Sequence, residues 1–259
     1  MEKRQTALIT GATSGFGYEF AKIFAREGYD LVIVARHAKN LNAVAKELSA
    51  AHGVKITVIP RDLSRQKAAF ELYDMIKKKK IAVDVLINNA GFGTYGRYHE
   101  TDTGSELDLV NLNVLSAAML MKLCLADMVK RKRGKILNVA SMGAFQPGPY
   151  MANYCASKSY LLSLSEAVAA ELHGTNVTVS ALCPGVVITG FQKRAQNIHI
   201  GIHKGKHQSA ATVADIGYRG LMKGKAVIIP ELKSKIQISG NRIFPRSLVR
   251  FVVRKMMEG

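Results

Sequence analysis

The chain has 259 residues, 48% hydrophobic and 22% charged, an ordinary balance for one large α/β globular domain. Its formal charge is +18, from 37 Lys and Arg against 19 Asp and Glu, which opens nucleic acid, an anionic membrane or an anionic ligand as partners. Three cysteines, an odd number with no C-x-x-C pair, argue against a disulfide framework or a cysteine zinc site and are read as reduced buried thiols.

The start, MEKRQTALITGATSGFG, has no signal-peptide core, and no window holds about 18 uninterrupted apolar residues. A soluble, cytoplasmic protein is expected. Short apolar runs then recur along the chain. They are Thr6–Thr10, Asp30–Ala35, Lys55–Ile59, Val83–Ile87, Lys135–Ala140, Asn176–Leu182 and Ala226–Ile229. All are rich in β-branched residues and nearly continuous in apolarity, as strands buried on both faces must be. Between them lie amphipathic stretches such as Tyr18–Glu27, Leu41–Ala51 and Gln66–Lys78. This alternation predicts a doubly wound Rossmann fold, a parallel sheet of about seven strands flanked by helices, in a single domain over 1–259. The basic runs 77–80 and 130–135 each follow a helical pattern, where cations suit a helix C-terminus. Residues 190–211 break the rhythm and read as a polar, basic loop insertion. Loops at strand carboxyl ends face the ligand in such sheets.

The first strand runs into Gly11-Ala12-Thr13-Ser14-Gly15-Phe16-Gly17 and then a helical pattern. Glycines there allow a tight turn and let backbone N–H groups approach a pyrophosphate at the helix start. The second strand ends Val34-Ala35-Arg36-His37, without the acid that would bond a ribose 2′-hydroxyl. Arg36 can instead stack on adenine and pair with a 2′-phosphate, so NADP(H) is favoured over NAD(H).

Tyr154 and Lys158 form Y-x-x-x-K, which puts both side chains on one helical face. A phenol near pKa 10 is too weak an acid for neutral pH, and a lysine cation one turn away favours the phenolate. Tyr18/Lys22 and Tyr73/Lys77 share the spacing and are read as structural. Ser141, at the end of the strand-like KILNVAS, distinguishes Tyr154, since its hydroxyl could hold a substrate oxygen beside the phenol.

The run of Thr10-Gly11-x-x-x-Gly15-x-Gly17, Asn88-Asn89-Ala90-Gly91, Asn113, Ser141, Tyr154-x-x-x-Lys158 and Pro184-Gly185 resembles the short-chain dehydrogenases/reductases over nearly the whole chain. The resemblance implies an oxidoreductase acting on a carbonyl or alcohol, with Tyr154 as acid/base. It implies that Lys158 tunes Tyr154 and binds the nicotinamide ribose, that Ser141 positions the substrate oxygen, and that Asn113 anchors a water in a proton relay. Asp62 and Leu63 would meet adenine. Asn89, Ala90 and Gly91 would line the cofactor, and Val187 and Thr189, after Pro184-Gly185, would hold the nicotinamide amide and diphosphate. Leu31–Arg36, Asn89–Thr94, Val227–Pro230 and Arg242–Arg246 resemble the branch with hydroxysteroid and 3-oxoacyl reductases. One fold hosts many substrates, so the branch indicates chemistry better than substrate. A homodimer or homotetramer is expected.

The expected substrate pocket combines apolar Met142, Phe145 and Pro147 with Lys193, Arg194, His199, His203, Lys204, Lys206 and His207. It suits an apolar substrate with an anionic end, or the basic loop is a solvated lid. His199, His203 and His207 are spaced four apart, but intervening glycines and the lack of a neighbouring acid argue against a metal. A basic apolar C-terminal helix is expected within 240–259, with Arg246–Met257 packed on its own domain or a neighbouring subunit, or lying on an anionic membrane. The rival function is a non-enzymatic NADP(H)-binding redox sensor or interaction protein. No nucleic-acid motif is present to favour nucleic acid.

Overall fold

In the computed structural model, residues 4–187, Phe191 and residues 207–258 are described. Seven strands among them form one parallel sheet in the order β3-β2-β1-β4-β5-β6-β7. The strands are β1 (Thr6–Thr10), β2 (Asp30–Ala35), β3 (Ile56–Pro60), β4 (Val85–Asn88), β5 (Gly134–Val139), β6 (Val177–Leu182) and β7 (Val227–Ile228). Ile9 stands level with Ile33 on one side and Ile87 on the other. The Rossmann class expected from the alternating pattern is the one observed.

Because successive strand residues face opposite ways, the sheet divides its apolar residues between two cores. Ile9, Ile33, Ile87 and Leu137 pack against α1 (Gly15–Arg26) and α2 (Ala38–His52). Leu8, Val32, Leu86 and Ile136 pack on the other face, against α3 (Ala68–Lys78) and α5 (Ala117–Lys130). Lys77 and Lys78 occupy the last turn of α3, and Lys130 that of α5, as the helix dipole favours.

α4 (Thr103–Val110) continues through a π-helical stretch, Asn111–Ser116, into α5. This 28-residue run is long and apolar enough to cross a membrane by length and composition, yet 56% of its most apolar window is buried inside the domain. Asn88 ties it to the sheet by donating to the Ala117 carbonyl and to Asn138 Oδ1, both at 2.9 Å. A 3₁₀ turn (Met142–Phe145) precedes α6 (Ala152–Glu171), and α7 (Ala210–Met222) leads to the short edge strand β7.

The chain ends in two helices, α8 (Leu232–Ile243) and α9 (Arg246–Glu258), rather than one helix over 240–259. Pro245 explains the break. Its ring disfavours helical backbone in the preceding residue, and Phe244 is extended, with φ −78° and ψ 147°.

The chain passes from β1 to β2 and β3 on one side, then returns to β4 on the other. At that reversal the loops leaving the strand carboxyl ends diverge and open a crevice.

Candidate active site

A cleft of about 800 Å³ opens at this reversal. At one end it is lined by Gly11, Thr13, Ser14, Gly15 and Phe16 from the turn between β1 and α1. Gly11 holds φ +67°, which favours glycine. A Cβ on Gly17 would stand 2.2 Å from the Gly11 carbonyl oxygen and 2.4 Å from Asn89 Nδ2. The turn can therefore lie flat on the helix start only with glycine at 17. Asn89 fastens it from the β4 side, donating to the carbonyls of Thr10 (2.9 Å) and Gly11 (3.2 Å). The Thr10 hydroxyl accepts from the N–H groups of Asn89 and Ala90, both at 3.0 Å.

Arg36 follows β2, is exposed and lines the same end of the cleft. Asp62, at the start of the loop leaving β3, also lines it. Burial works against the Asp62 charge, but the N–H and hydroxyl of Ser64, with Arg36 and Arg65 nearby, hold its pKa below the usual carboxylate range. Leu63 is buried there, and its carbonyl accepts from the Ser116 hydroxyl.

Farther along, Ser141, Tyr154 and Lys158 share one wall. Ser141 caps the 3₁₀ turn, its Oγ accepting from the Gly143 N–H at 3.0 Å. Burial pushes the Tyr154 phenol up to about 12, and a hydrogen bond with Ser141 pulls the other way. Burial pushes Lys158 down to about 8. Its Nζ donates to the Val139 carbonyl at 2.7 Å and stands 5.9 Å from the Tyr154 ring centroid. A lysine-driven drop in the phenol pKa, expected from the spacing, is therefore not what the structure gives: desolvation dominates the phenol.

The two other Y-x-x-x-K pairs place the ammonium similarly, 5.1 Å and 5.7 Å from the ring. Their hydroxyls instead meet carboxylates, Tyr18 on Glu47 at 2.6 Å and Tyr73 on Asp127 at 2.8 Å. Helical spacing alone fixes the Lys-to-ring geometry, and tertiary surroundings distinguish the third pair.

The far wall comes from residues the motifs did not point to. Met151, Phe191, Val253, Met256 and Met257 line the cleft, with the Phe191 ring 5.2 Å from that of Tyr154. Val249, Val253 and Met257 of α9 are buried with Met151 and Cys155 and pack against Tyr95 and Tyr150. The Tyr95 hydroxyl donates to the Met257 carbonyl (2.6 Å), and that of Tyr150 to Glu258 Oε1 (2.7 Å). α8 is held by Gln146, whose Oε1 accepts from Asn241 at 2.7 Å and Gln237 at 3.3 Å. Both C-terminal helices thus sit on the site, and no local sequence signal announced it.

The model of the short chain dehydrogenase family matches residues 5–198. The chain belongs to the short-chain dehydrogenase family. A very-long-chain 3-oxoacyl-CoA reductase of Pyrenophora tritici-repentis is 33% identical over 226 residues, 85% of this chain and 65% of that protein. The human inactive hydroxysteroid dehydrogenase-like protein 1 is 30% identical over 197 residues, 74% of this chain and 59% of that protein. The chain spans 56% and 65% of the length of the first two curated relatives it matches. Among solved structures, a short-chain dehydrogenase from Sphingobium yanoikuyae in complex with NADPH has a TM-score of 0.83 at 29% identity, covering 92% of this chain and 94% of that one.

In this chain, Gly11, Thr13, Ser14, Gly15, Phe16, Arg36, Asp62, Leu63, Asn89, Ala90, Gly91, Ser141, Tyr154, Lys158, Pro184, Gly185 and Val187 all line the same cleft. Gly17 lies beneath it. Asn113 is buried behind it in the π-helical stretch, with Oδ1 accepting from the Phe92 N–H and Nδ2 donating to the Phe92 carbonyl and Ser157 Oγ. Both ends of its amide are therefore spent on bracing the turn that carries Gly91. Met142 and His207 line the cleft, whereas Phe145 packs beside Ala144 and Leu162. Thr189, Lys193, Arg194, His199, His203, Lys204 and Lys206 lie outside the described residues. Among the described residues no cluster of His, Cys, Asp or Glu could hold a metal, and all three cysteines are buried and free.

Proposed function

We propose that this short-chain dehydrogenase is an NADP(H)-dependent oxidoreductase that interconverts a ketone or aldehyde with an alcohol, using Tyr154 as the acid/base. The observation that carries this reading is the Tyr154 phenol, backed by buried Lys158 and sharing with Ser141 the wall of a cleft that begins at the glycine turn.

The residues suit a dinucleotide. The glycine turn is a cradle that one Cβ would fill. Gly91 provides a second close approach, since a Cβ there would stand 2.9 Å from Asn113 Oδ1 and 3.4 Å from Lys158 Nζ. The glycine turn at the start of α1 would hold the diphosphate, Asp62 and Leu63 the adenine, and Arg36 a 2′-phosphate. Asn89 to Gly91, Lys158 and Pro184 to Val187 would hold the nicotinamide half, with Thr189 beyond them in sequence. The cofactor, when bound, supplies or accepts the hydride.

In the reductive direction, Ser141 donates a hydrogen bond to the carbonyl oxygen and Tyr154 gives it its phenolic proton. The resulting phenolate is stabilised by Lys158 in its protonated form, and both groups are desolvated, which strengthens the attraction. In the oxidative direction Tyr154 takes the alcohol proton back. Asn113 acts as a positioning residue through the turn it braces. The walls supplied by Met151, Phe191, Val253 and Met257 favour an apolar substrate of the hydroxysteroid or 3-oxoacyl type.

Inactive-named relatives favour a second reading, a non-enzymatic NADP(H)-binding protein. A Tyr154→Phe variant separates the two. The oxidoreductase reading expects NADPH binding within about twofold of the parent and carbonyl reduction lowered by about 10²–10⁴. Unchanged turnover in the variant refutes the role of Tyr154. A parent chain that binds NADPH but reduces no carbonyl across ketosteroids, 3-oxoacyl thioesters and small aldehydes supports the second reading.

A further inference from the structure

We propose that the outer face of α8 and α9 docks on an anionic lipid surface, and that apolar substrate enters the cleft from that surface. The entry route rests on the carbonyl-reductase reading; the docking does not.

Of 13 large hydrophobic side chains exposed among the described residues, seven fall within residues 236–256. They are Ile236, Ile243, Phe244, Leu248, Phe251, Val252 and Met256. Single exposed apolar residues are ordinary, but such a concentration marks an interaction surface.

The pattern on α9 is specific. Val249, Val253 and Met257, four apart, form the stripe buried on the domain. Leu248, Val252 and Met256, also four apart, form a parallel stripe beside it and stay exposed. Arg246, Arg250 and Arg254 form a third, on the opposite flank of the buried one. Phe251 and Lys255 project outward between them. The apolar face of this helix is thus wider than the domain covers. On α8, Ile236 and Ile243 point away from buried Ser234 and Ile238.

Charge identifies the occupant. Residues 232–259 carry seven Lys and Arg and one acid. That acid, Glu258, is engaged by Arg254 at 2.7 Å and Lys255 at 3.7 Å. A second copy docking face to face would bring the same cations together, because a twofold contact pairs a patch with itself. An anionic bilayer surface offers both what the apolar stripe and what the cations require.

Position links the surface to the cleft. Met256 is half exposed on the outer stripe and also lines the cleft, so an apolar path runs from the outer face of α9 into the cleft that holds Tyr154. A substrate dissolved in lipid would meet this route before it met water.

The test is flotation of the purified full chain with vesicles of phosphatidylcholine alone or mixed with phosphatidylserine. The chain is expected to float with the mixed vesicles, to float weakly with the neutral ones, and to be released by high salt. The Arg246→Gln/Arg250→Gln variant is expected to bind roughly 30-fold more weakly, at about fivefold per cation. The Leu248→Ser/Phe251→Ser variant is expected not to float, to turn over a water-soluble ketone as the parent does, and to lose turnover of an apolar ketone carried in the mixed vesicles. No flotation of the parent, or undiminished flotation of the serine variant, overturns the docking. A serine variant that changes from dimer to monomer in sedimentation while still floating assigns the face to a second copy instead. A parent that floats yet reduces neither ketone leaves docking standing and refutes the entry route together with the reductase reading.

Discussion

Replacing Gly17 by alanine tests the cofactor cradle directly. The added Cβ would stand 2.2 Å from the Gly11 carbonyl oxygen, 2.8 Å from its carbon and 2.4 Å from Asn89 Nδ2. Two of those three atoms are backbone, so no side-chain rotation relieves the contact. The turn must lift by more than 1 Å to restore an ordinary van der Waals distance of about 3.4 Å. Crowding of this kind costs about 1–3 kcal/mol. Lifting the turn also loosens the Asn89 bonds to the Thr10 and Gly11 carbonyls, each contributing about 1 kcal/mol. Together these come to about 4 kcal/mol, or roughly 8–16 °C of Tm for a domain of this size. Misplacement by about 1 Å is expected to weaken NADPH binding by about 100-fold. The assay pairs thermal unfolding with NADPH titration by fluorescence. Gly28→Ala is the control: Gly28 has φ +81° but nothing within 4 Å of its Cβ position. It should lose about 1–2 kcal/mol from backbone strain and bind NADPH normally. A Gly17→Ala chain that binds NADPH as the parent does would show that the diphosphate does not rest on this turn.

Arg36→Asp is expected to raise KM for NADPH by about 10–100-fold while improving or preserving KM for NADH, since one charge-assisted contact contributes about 1.5–3 kcal/mol; equal loss with both cofactors would count against a 2′-phosphate site at Arg36. Burial lowers the Lys158 pKa to about 8, below its ordinary value of 10.5. The unfolded chain therefore holds this proton over a range where the folded chain has lost it, and stability from this group rises with pH between those values. Relative to Lys158→Met, the parent is expected to gain about 2–3 kcal/mol between about pH 7 and about pH 10, read by urea unfolding. A constant difference across that range would mean that the lysine is not desolvated.

The strands were legible because a sheet covered on both faces demands nearly continuous apolarity, and that pattern is local. Three helices were legible because one apolar stripe faces the sheet. Of α6 only the Tyr154–Lys158 turn was legible, since Ala152–Glu171 buries Cys155, Ser157, Lys158 and Ser165 among its leucines and carries no single apolar stripe. The glycine turn could be read from order alone, because strand, glycine and helix follow one another directly.

By itself, then, the sequence determined the doubly wound class and most of the motif residues that line the cleft. The sequence also singled out Tyr154 by its company with Ser141, but only the tertiary structure showed that the other two phenols meet carboxylates, since Glu47 and Asp127 come from other elements. Only it brought α9 onto the site, through contacts such as Tyr95 to Met257 that span 162 positions. A local period cannot encode such a meeting. It follows from how the chain returns from the edge strand β7 to the cleft through α8, and from a proline at 245 that turns the last helix toward Tyr154 while leaving half of its apolar face uncovered.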